Sequence, residues 1–248
     1  MINENYKDLF STQSSDYAKF RPMYPKELFD YLASIAEEKN YAWDCGTGNG
    51  QAAIELAKSF NHVIATDLSD KQLENAILNP KVIYKKATAE DFSNPEKMDL
   101  ITVAQAFHWF KHDEFAKTVS RVAHPGSHLA VWTYAVSNIT PEIDKAVTSL
   151  YSGTLDGYWE NERSHVEDGY SKITLPFSEL KTPSFNLTAE WDLDHLIGYL
   201  STWSALNTYI KKNGTNPLEK HYPEIKEAWG SVKTRTVTWP LSLRLWRI

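Results

Sequence analysis

The chain has 248 residues, 42% of them hydrophobic and 23% charged, enough apolar material for a buried core and too much for a disordered tail. Its formal charge is −6, and its only basic pairs are Lys85-Lys86 and Lys211-Lys212, so no nucleic-acid partner is expected. The single cysteine, Cys45, excludes an internal disulfide and a multi-cysteine zinc site. Together with the polar stretch Met1 to Asp8 and the lack of any apolar run of roughly 18 to 20 residues, it sets the expectation of a cytoplasmic protein with no membrane partner.

In chain order, Tyr41-Ala42-Trp43-Asp44-Cys45 reads as a first strand, and Gln51 to Phe60 as a helix with Ala53, Leu56, Ala57 and Phe60 at helical spacing. His62 to Thr66 is a second strand. Ser69 caps a helix carrying Leu73, Ala76 and Ile77, with Pro80 just past its end. Val82-Ile83-Tyr84 begins a third strand. Leu100 to Ala104 is the most apolar and is expected at the centre of a parallel sheet. Asp113 caps a helix bearing Phe115, Val119 and Val122; Pro125-Gly126 supplies a turn, and His128 to Trp132 a fifth strand. From about Thr140 to Pro183 the periodicity weakens, and the segment reads as an insertion or cap over one sheet edge. Order returns with a strand over 185–191, a helix over 193–211, a shorter helix over 217–229 and an alternating strand over 234–246, where Pro240 implies an edge, a bulge or a strand end.

The sharpest local signal lies between the first strand and first helix: Asp44-Cys45-Gly46-Thr47-Gly48-Asn49-Gly50. Glycines let backbone approach a ligand and reach φ > 0, and the open end of such a sheet is where nucleotides bind. An acid should then follow strand two to bond a ribose. Asp67 sits there, 21 positions after Gly46, close to the roughly 20 expected. A dinucleotide fingerprint would put its third glycine at position 51, which is Gln51.

An acid followed by G-x-G-x-G resembles the first motif of the class I S-adenosylmethionine-dependent methyltransferases. Asp67-Leu68-Ser69 is similar to that family's ribose-binding stretch, Ala87 to Phe92 to its adenine-binding stretch, and Asp99 to Phe110 to the strand-four motif beside the methionine part and the methyl group. Gln105 to Trp109, Tyr17 to Pro25, Tyr199 to Ala205 and Trp239-Pro240-Leu241 most resemble the group around trans-aconitate methyltransferase. One departure is Gly126-Ser127, where relatives often carry two glycines; it touches a turn and not the ligand.

The resemblance implies one Rossmann-like α/β domain with a mostly parallel seven-stranded sheet flanked by helices. Residues 1–39 would form an N-terminal helical lid, 40–136 the cofactor-binding core, 137–183 an inserted cap, and 184–248 the rest of the sheet and its helices. It implies S-adenosyl-L-methionine as cofactor and S-adenosyl-L-homocysteine as product, held by Tyr17, Arg21, Asp44, Gly46, Thr47, Gly48, Gln51, Asp67, Leu68, Ala89, Glu90, Gln105, Ala106 and His108. Tyr24, His108, Trp109, Trp132 and Trp203 would face a small, acidic acceptor. Tyr17 and Arg21, four apart, can share a helical face, and the Arg21 fork suits a carboxylate of either ligand. A metal set of His108, His112 and Glu114 is not expected, because strand end, turn and helix start would not hold them on one face. A carboxylate acceptor is already ionised at neutral pH and needs no general base, so no catalytic residue is assigned; a hydroxyl or amine would need one, with His108 the candidate. The expected activity is therefore O-methylation of a carboxylate. The alternatives are a nicotinamide-dependent oxidoreductase, disfavoured by Gln51, and a non-catalytic S-adenosylmethionine-binding module.

Overall fold

The computed structural model of the protein describes residues 20–248. The elements are α1 (Lys26–Ile35), β1 (Tyr41–Cys45), α2 (Gln51–Leu56), β2 (His62–Asp67), α3 (Asp70–Glu74), β3 (Val82–Lys86), β4 (Met98–Ala104), α4 (His112–Val122), β5 (Ala123–Tyr134), α5 (Pro141–Thr148), α6 (Arg163–Glu167), β6 (Ser178–Leu180), β7 (Phe185–Trp191), α7 (Leu193–Ser201), α8 (Ser204–Asn213), α9 (Pro217–Trp229) and β8 (Arg235–Arg247). None of the described helices is long and apolar enough to cross a membrane.

The sheet runs β3-β2-β1-β4-β5-β8-β6, with β7 also on β8. β1 to β5 are parallel to their neighbours, and β8 returns antiparallel to β5. β4 lies between β1 and β5, and six of its seven residues are buried, as its mostly apolar sequence leads one to expect of a central strand. Alternation along the strands feeds two cores. Ala42 and Leu100 join α1, α2 and the C-terminal helices on one face, whereas Trp43 and Ile101 join Phe115, Val119 and Val122 of α4 on the other.

The sheet has eight strands, not the expected seven, because the far side of β8 is shared end to end. β7 pairs with residues 235–241 of β8 and β6 with residues 245–247, while β5 covers 241–247 from the opposite side. Pro240 falls where the β5 ladder stops, so its missing N–H leaves no β5 partner unmet. The helix expected over 193–211 is two, α7 and α8, broken at Thr202-Trp203. α1 is also not part of a lid: Leu28, Phe29, Leu32 and Ala33 are buried, which makes it a core helix.

The order β3-β2-β1-β4-β5 reverses between β1 and β4, which opens a crevice beyond their carboxyl ends. Everything that follows is built there.

Candidate active site

The glycine loop after β1 is fixed from below. The amides of Gly46 and Thr47 both donate to the Thr66 carbonyl at the end of β2, at 2.8 and 2.9 Å. Gly46 has φ +69°, and a β-carbon there would stand 2.6 Å from the Ala106 β-carbon, so only glycine lets this loop touch the turn after β4. Gly48, at φ +56°, is different: its nearest neighbour would be Gln72 Oε1 at 4.0 Å, which leaves open space over the backbone. Asp67 stands beside it and accepts hydrogen bonds from the Gly48 amide at 2.8 Å and the Ser69 amide at 2.9 Å. Burial pushes the Asp67 carboxyl up, and those amide donors oppose the shift.

Asp44 is fully buried. Thr47 Oγ1 donates to its Oδ2 at 2.5 Å and Thr102 Oγ1 to its Oδ1 at 2.8 Å. Burial pushes its carboxyl up to about 6 against those two hydroxyls. Gln51 Nε2 donates to the Pro22 carbonyl at 3.1 Å, while Phe20 packs against Gly198 of α7. The segment before α1 thus spans from the glycine loop to the C-terminal helices.

A cavity of about 70 Å³ lies beyond β4 and β5, lined by residues of five separate stretches: Arg21, Gln105 with His108 and Trp109, Tyr134, the cap residues Trp159, Glu160 and Arg163, and Tyr199 with Trp203. The Arg21 guanidinium lies 5.3 Å from the Tyr199 ring centroid. Arg163 stacks on Trp159 and Tyr151, at 5.0 and 5.6 Å, and its Nε donates to the Tyr151 hydroxyl at 3.0 Å. That hydroxyl donates in turn to Glu167. The Arg163 guanidinium is held in one orientation, and among the described residues no carboxylate lies at ion-pair distance from it. Glu160 accepts a bond from Ser204 Oγ at 3.0 Å. Burial, aided by the Arg163 charge, pushes His108 down to about 3.

Of the expected site residues, the crevice gathers Asp44, Gly46, Thr47, Gly48, Gln51, Asp67, Leu68 and Ala106, and the cavity gathers Arg21, Gln105, His108, Trp109 and Trp203. Tyr17 lies outside the described residues. Four residues are placed elsewhere. Trp132 is fully buried in the core, with Tyr24 edge-on to it at 5.5 Å, so neither lines the cavity. The Glu90 carboxylate accepts from the Lys111 amide at the start of α4, a local cap, while Ala89 is buried beside it. Arg163, Trp159, Tyr134, Glu160 and Tyr199 were not expected. The only sequence trace of Trp159 is the aromatic density of Tyr151 to Trp159, and Arg163 has none. Among the described residues no group of three His, Cys, Asp or Glu side chains is placed to hold a metal.

A family model described as a methyltransferase domain matches residues 43–131, the stretch from β1 to β5. A protein of Dictyostelium discoideum named as a methyltransferase is 36% identical over 227 residues, covering 90% of this chain and 85% of its own. The chain belongs to the class I S-adenosylmethionine-dependent methyltransferases. A methyltransferase-family protein of Saccharomyces cerevisiae, named as S-adenosylmethionine-dependent, is 26% identical over 257 residues, covering 87% of this chain and 85% of its own. A solved structure from Anaeromyxobacter dehalogenans, described as a type II methyltransferase, is 40% identical with a TM-score of 0.86 and covers 92% of this chain and 98% of its own. The methyltransferase cofactor fits the residues present: Gly48 offers open backbone beside Asp67, whose carboxylate retains acceptor capacity for ribose hydroxyls.

Proposed function

We propose that this methyltransferase esterifies a carboxylate oxygen of a small organic acid. The observation that carries the reading is the cavity's charge pattern: two guanidiniums, Arg21 and Arg163, share a wall with an imidazole that burial keeps neutral. A guanidinium fork matches a carboxylate. A His held near 3 has little power to take a proton from a hydroxyl or amine at neutral pH, so the acceptor best suited to this cavity arrives already ionised.

S-adenosylmethionine, when bound, supplies an electrophilic methyl on a sulfonium. The chain's part is to place the acceptor and keep water out. Arg163 is anchored through Tyr151 and Glu167 before any acceptor enters, so little ordering remains when it binds one. The rings of Trp109, Trp159, Trp203 and Tyr199 exclude water, and the segment before α1 covers the crevice from the glycine loop to α7. Orientation of this kind lowers a barrier by on the order of 7 to 11 kcal/mol when the reacting atoms are aligned. The partner is then a small acid rather than nucleic acid or membrane.

The test is mass spectrometry of products from S-adenosylmethionine and a panel of small acids, each beside its amide and its alcohol. Base-labile methyl esters from the acids alone are the expected result. Methyl transfer to the alcohols or to amines, with none to the acids, overturns the reading.

A further inference from the structure

Between α5 and α6 the chain widens into a π-helical turn, Ser149–Thr154. Such turns are rare and often mark functional sites. The consequence here is a displaced hydrogen bond. The Leu155 amide donates to the Leu150 carbonyl, five residues back, at 2.9 Å. In an α-helix its acceptor would be the carbonyl of Tyr151. That carbonyl is released from the helix ladder, and the Trp159 indole N–H donates to it at 3.0 Å. Thr154 Oγ1, in the same turn, lies 2.7 Å from Nε2 of His221, a buried residue of α9, which ties the wide turn to the C-terminal helices.

The side chain of Tyr151 holds a cation. Its ring packs against Trp159 and Trp203, at centroid distances of 4.6 and 5.4 Å. Its hydroxyl accepts from Arg163 Nε and donates to Glu167. Burial pushes the phenol up to about 12, so the hydroxyl keeps that proton across the physiological range. Tyr151 does not itself line the cavity, yet Trp159, Arg163 and Trp203, which it touches, all do. With Nε engaged by the phenol and the guanidinium stacked on two rings, Arg163 presents its two Nη groups to a ligand.

We infer that Tyr151 is the positioning residue of the acceptor cavity: its carbonyl sets the Trp159 ring, its hydroxyl aims Arg163, and the acid is gripped end-on by the paired Nη groups of that arginine. The grip rests on the carboxylate reading above; the placement of Trp159 and Arg163 does not. Without the hydroxyl, Arg163 regains rotamer freedom that each binding event must remove, so the defect falls on acceptor binding and leaves the cofactor side alone.

The experiment pairs nitrogen-15 spectroscopy of arginine- and tryptophan-labelled full-length protein with methyl transfer from S-adenosylmethionine to butyrate and benzoate. The proteins compared are the wild type, Tyr151→Phe, Arg163→Met and the double variant. Tyr151→Phe keeps the ring and the carbonyl and removes only the hydroxyl. The Arg163 Nε–H resonance, identified by its loss in Arg163→Met, should exchange slowly with solvent in the wild type and rapidly in Tyr151→Phe. The Trp159 indole N–H, identified by its loss in Trp159→Phe, should stay protected in both. Tyr151→Phe should raise KM for the acids about tenfold, the scale of one lost hydrogen bond to a charged group, with kcat and the Kd of S-adenosylhomocysteine changed by less than about twofold. In the Arg163→Met background it should raise KM little further, because the hydroxyl acts through the guanidinium, whereas a packing role gives additive losses. A freely exchanging Trp159 N–H in the wild type, an Arg163 Nε–H indifferent to loss of the hydroxyl, an unchanged KM in Tyr151→Phe, or additive losses in the double variant overturns the inference and leaves the carboxylate reading standing. Absence of transfer to any acid overturns the carboxylate reading and the end-on grip, and the two resonances still decide the placement of Trp159 and Arg163.

Discussion

The two halves of the site are built by different means. The cofactor crevice is backbone: a loop of seven residues, its positive-φ glycines and one acid at the end of β2, tied by main-chain bonds to Thr66 and to Asp67. The acceptor cavity is side chain: Arg21, Gln105, His108, Tyr134, Arg163 and Tyr199 come from the entry segment, β4, β5, the cap and α7. The contrast teaches where each half is vulnerable. A backbone site fails when a single β-carbon is added. A side-chain cavity loses one contact at a time and keeps its fold.

The largest effect should come from Gly46→Ala. The new β-carbon meets Ala106 at 2.6 Å in a left-handed conformation, which together cost about 3 kcal/mol of stability, read by chemical denaturation, with cofactor binding lost as well. Gly48→Ala sharpens the contrast. Its φ of +56° costs about 1 to 2 kcal/mol, but no neighbour is struck, so calorimetry should show cofactor affinity falling far more than stability. If the two variants lose affinity and stability in the same proportion, the open space over Gly48 is not where the cofactor lies.

Asp67→Ala should weaken S-adenosylhomocysteine binding by about 1.5 to 3 kcal/mol, the range for hydrogen bonds to a charged group. An unchanged Kd would remove Asp67 from the ribose. On the other side of the comparison, Arg163→Met should raise KM for an acidic acceptor by about 10- to 100-fold while the cofactor Kd holds steady. A shift in cofactor Kd as large as the shift in KM would mean the two halves are not separable.

The smallest effect lies outside both halves. His124 bonds the Pro125 carbonyl through Nδ1 at 3.0 Å and Asp99 Oδ1 through Nε2 at 2.9 Å. The carbonyl and then the carboxylate favour the doubly protonated ring and raise its pKa. Its contribution is complete below the ordinary histidine value near 6.5 and is lost as pH rises through the raised folded value. For so exposed a ring this amounts to roughly 0.5 kcal/mol between pH 6 and 8.5. Thermal melts across that range should slope in the wild type and flatten in His124→Gln.

The sequence by itself determined the parallel half of the molecule. Buried strands such as Leu100 to Ala104 are apolar because both faces are covered, and the turn residues between strands and helices sit at fixed local offsets. Asp44, the three glycines and Asp67 were legible for the same reason: their spacing along the chain is set by one βαβ unit, so neighbours in sequence are neighbours in space. Only the tertiary structure decided the rest. That α1 is core and not lid follows from which sheet face it meets, and the split of β6 and β7 along β8 follows from pairing partners far away in the chain. Trp132 and Trp203 look alike as isolated aromatics. Strand alternation sends the first into the core, and the break after α7 brings the second to the cavity wall. Arg163 carries no local mark at all: it becomes a cavity residue because the cap folds back over β4, bringing its guanidinium to His108 and Arg21. A charge's meaning depends on what it faces, and long-range packing sets that.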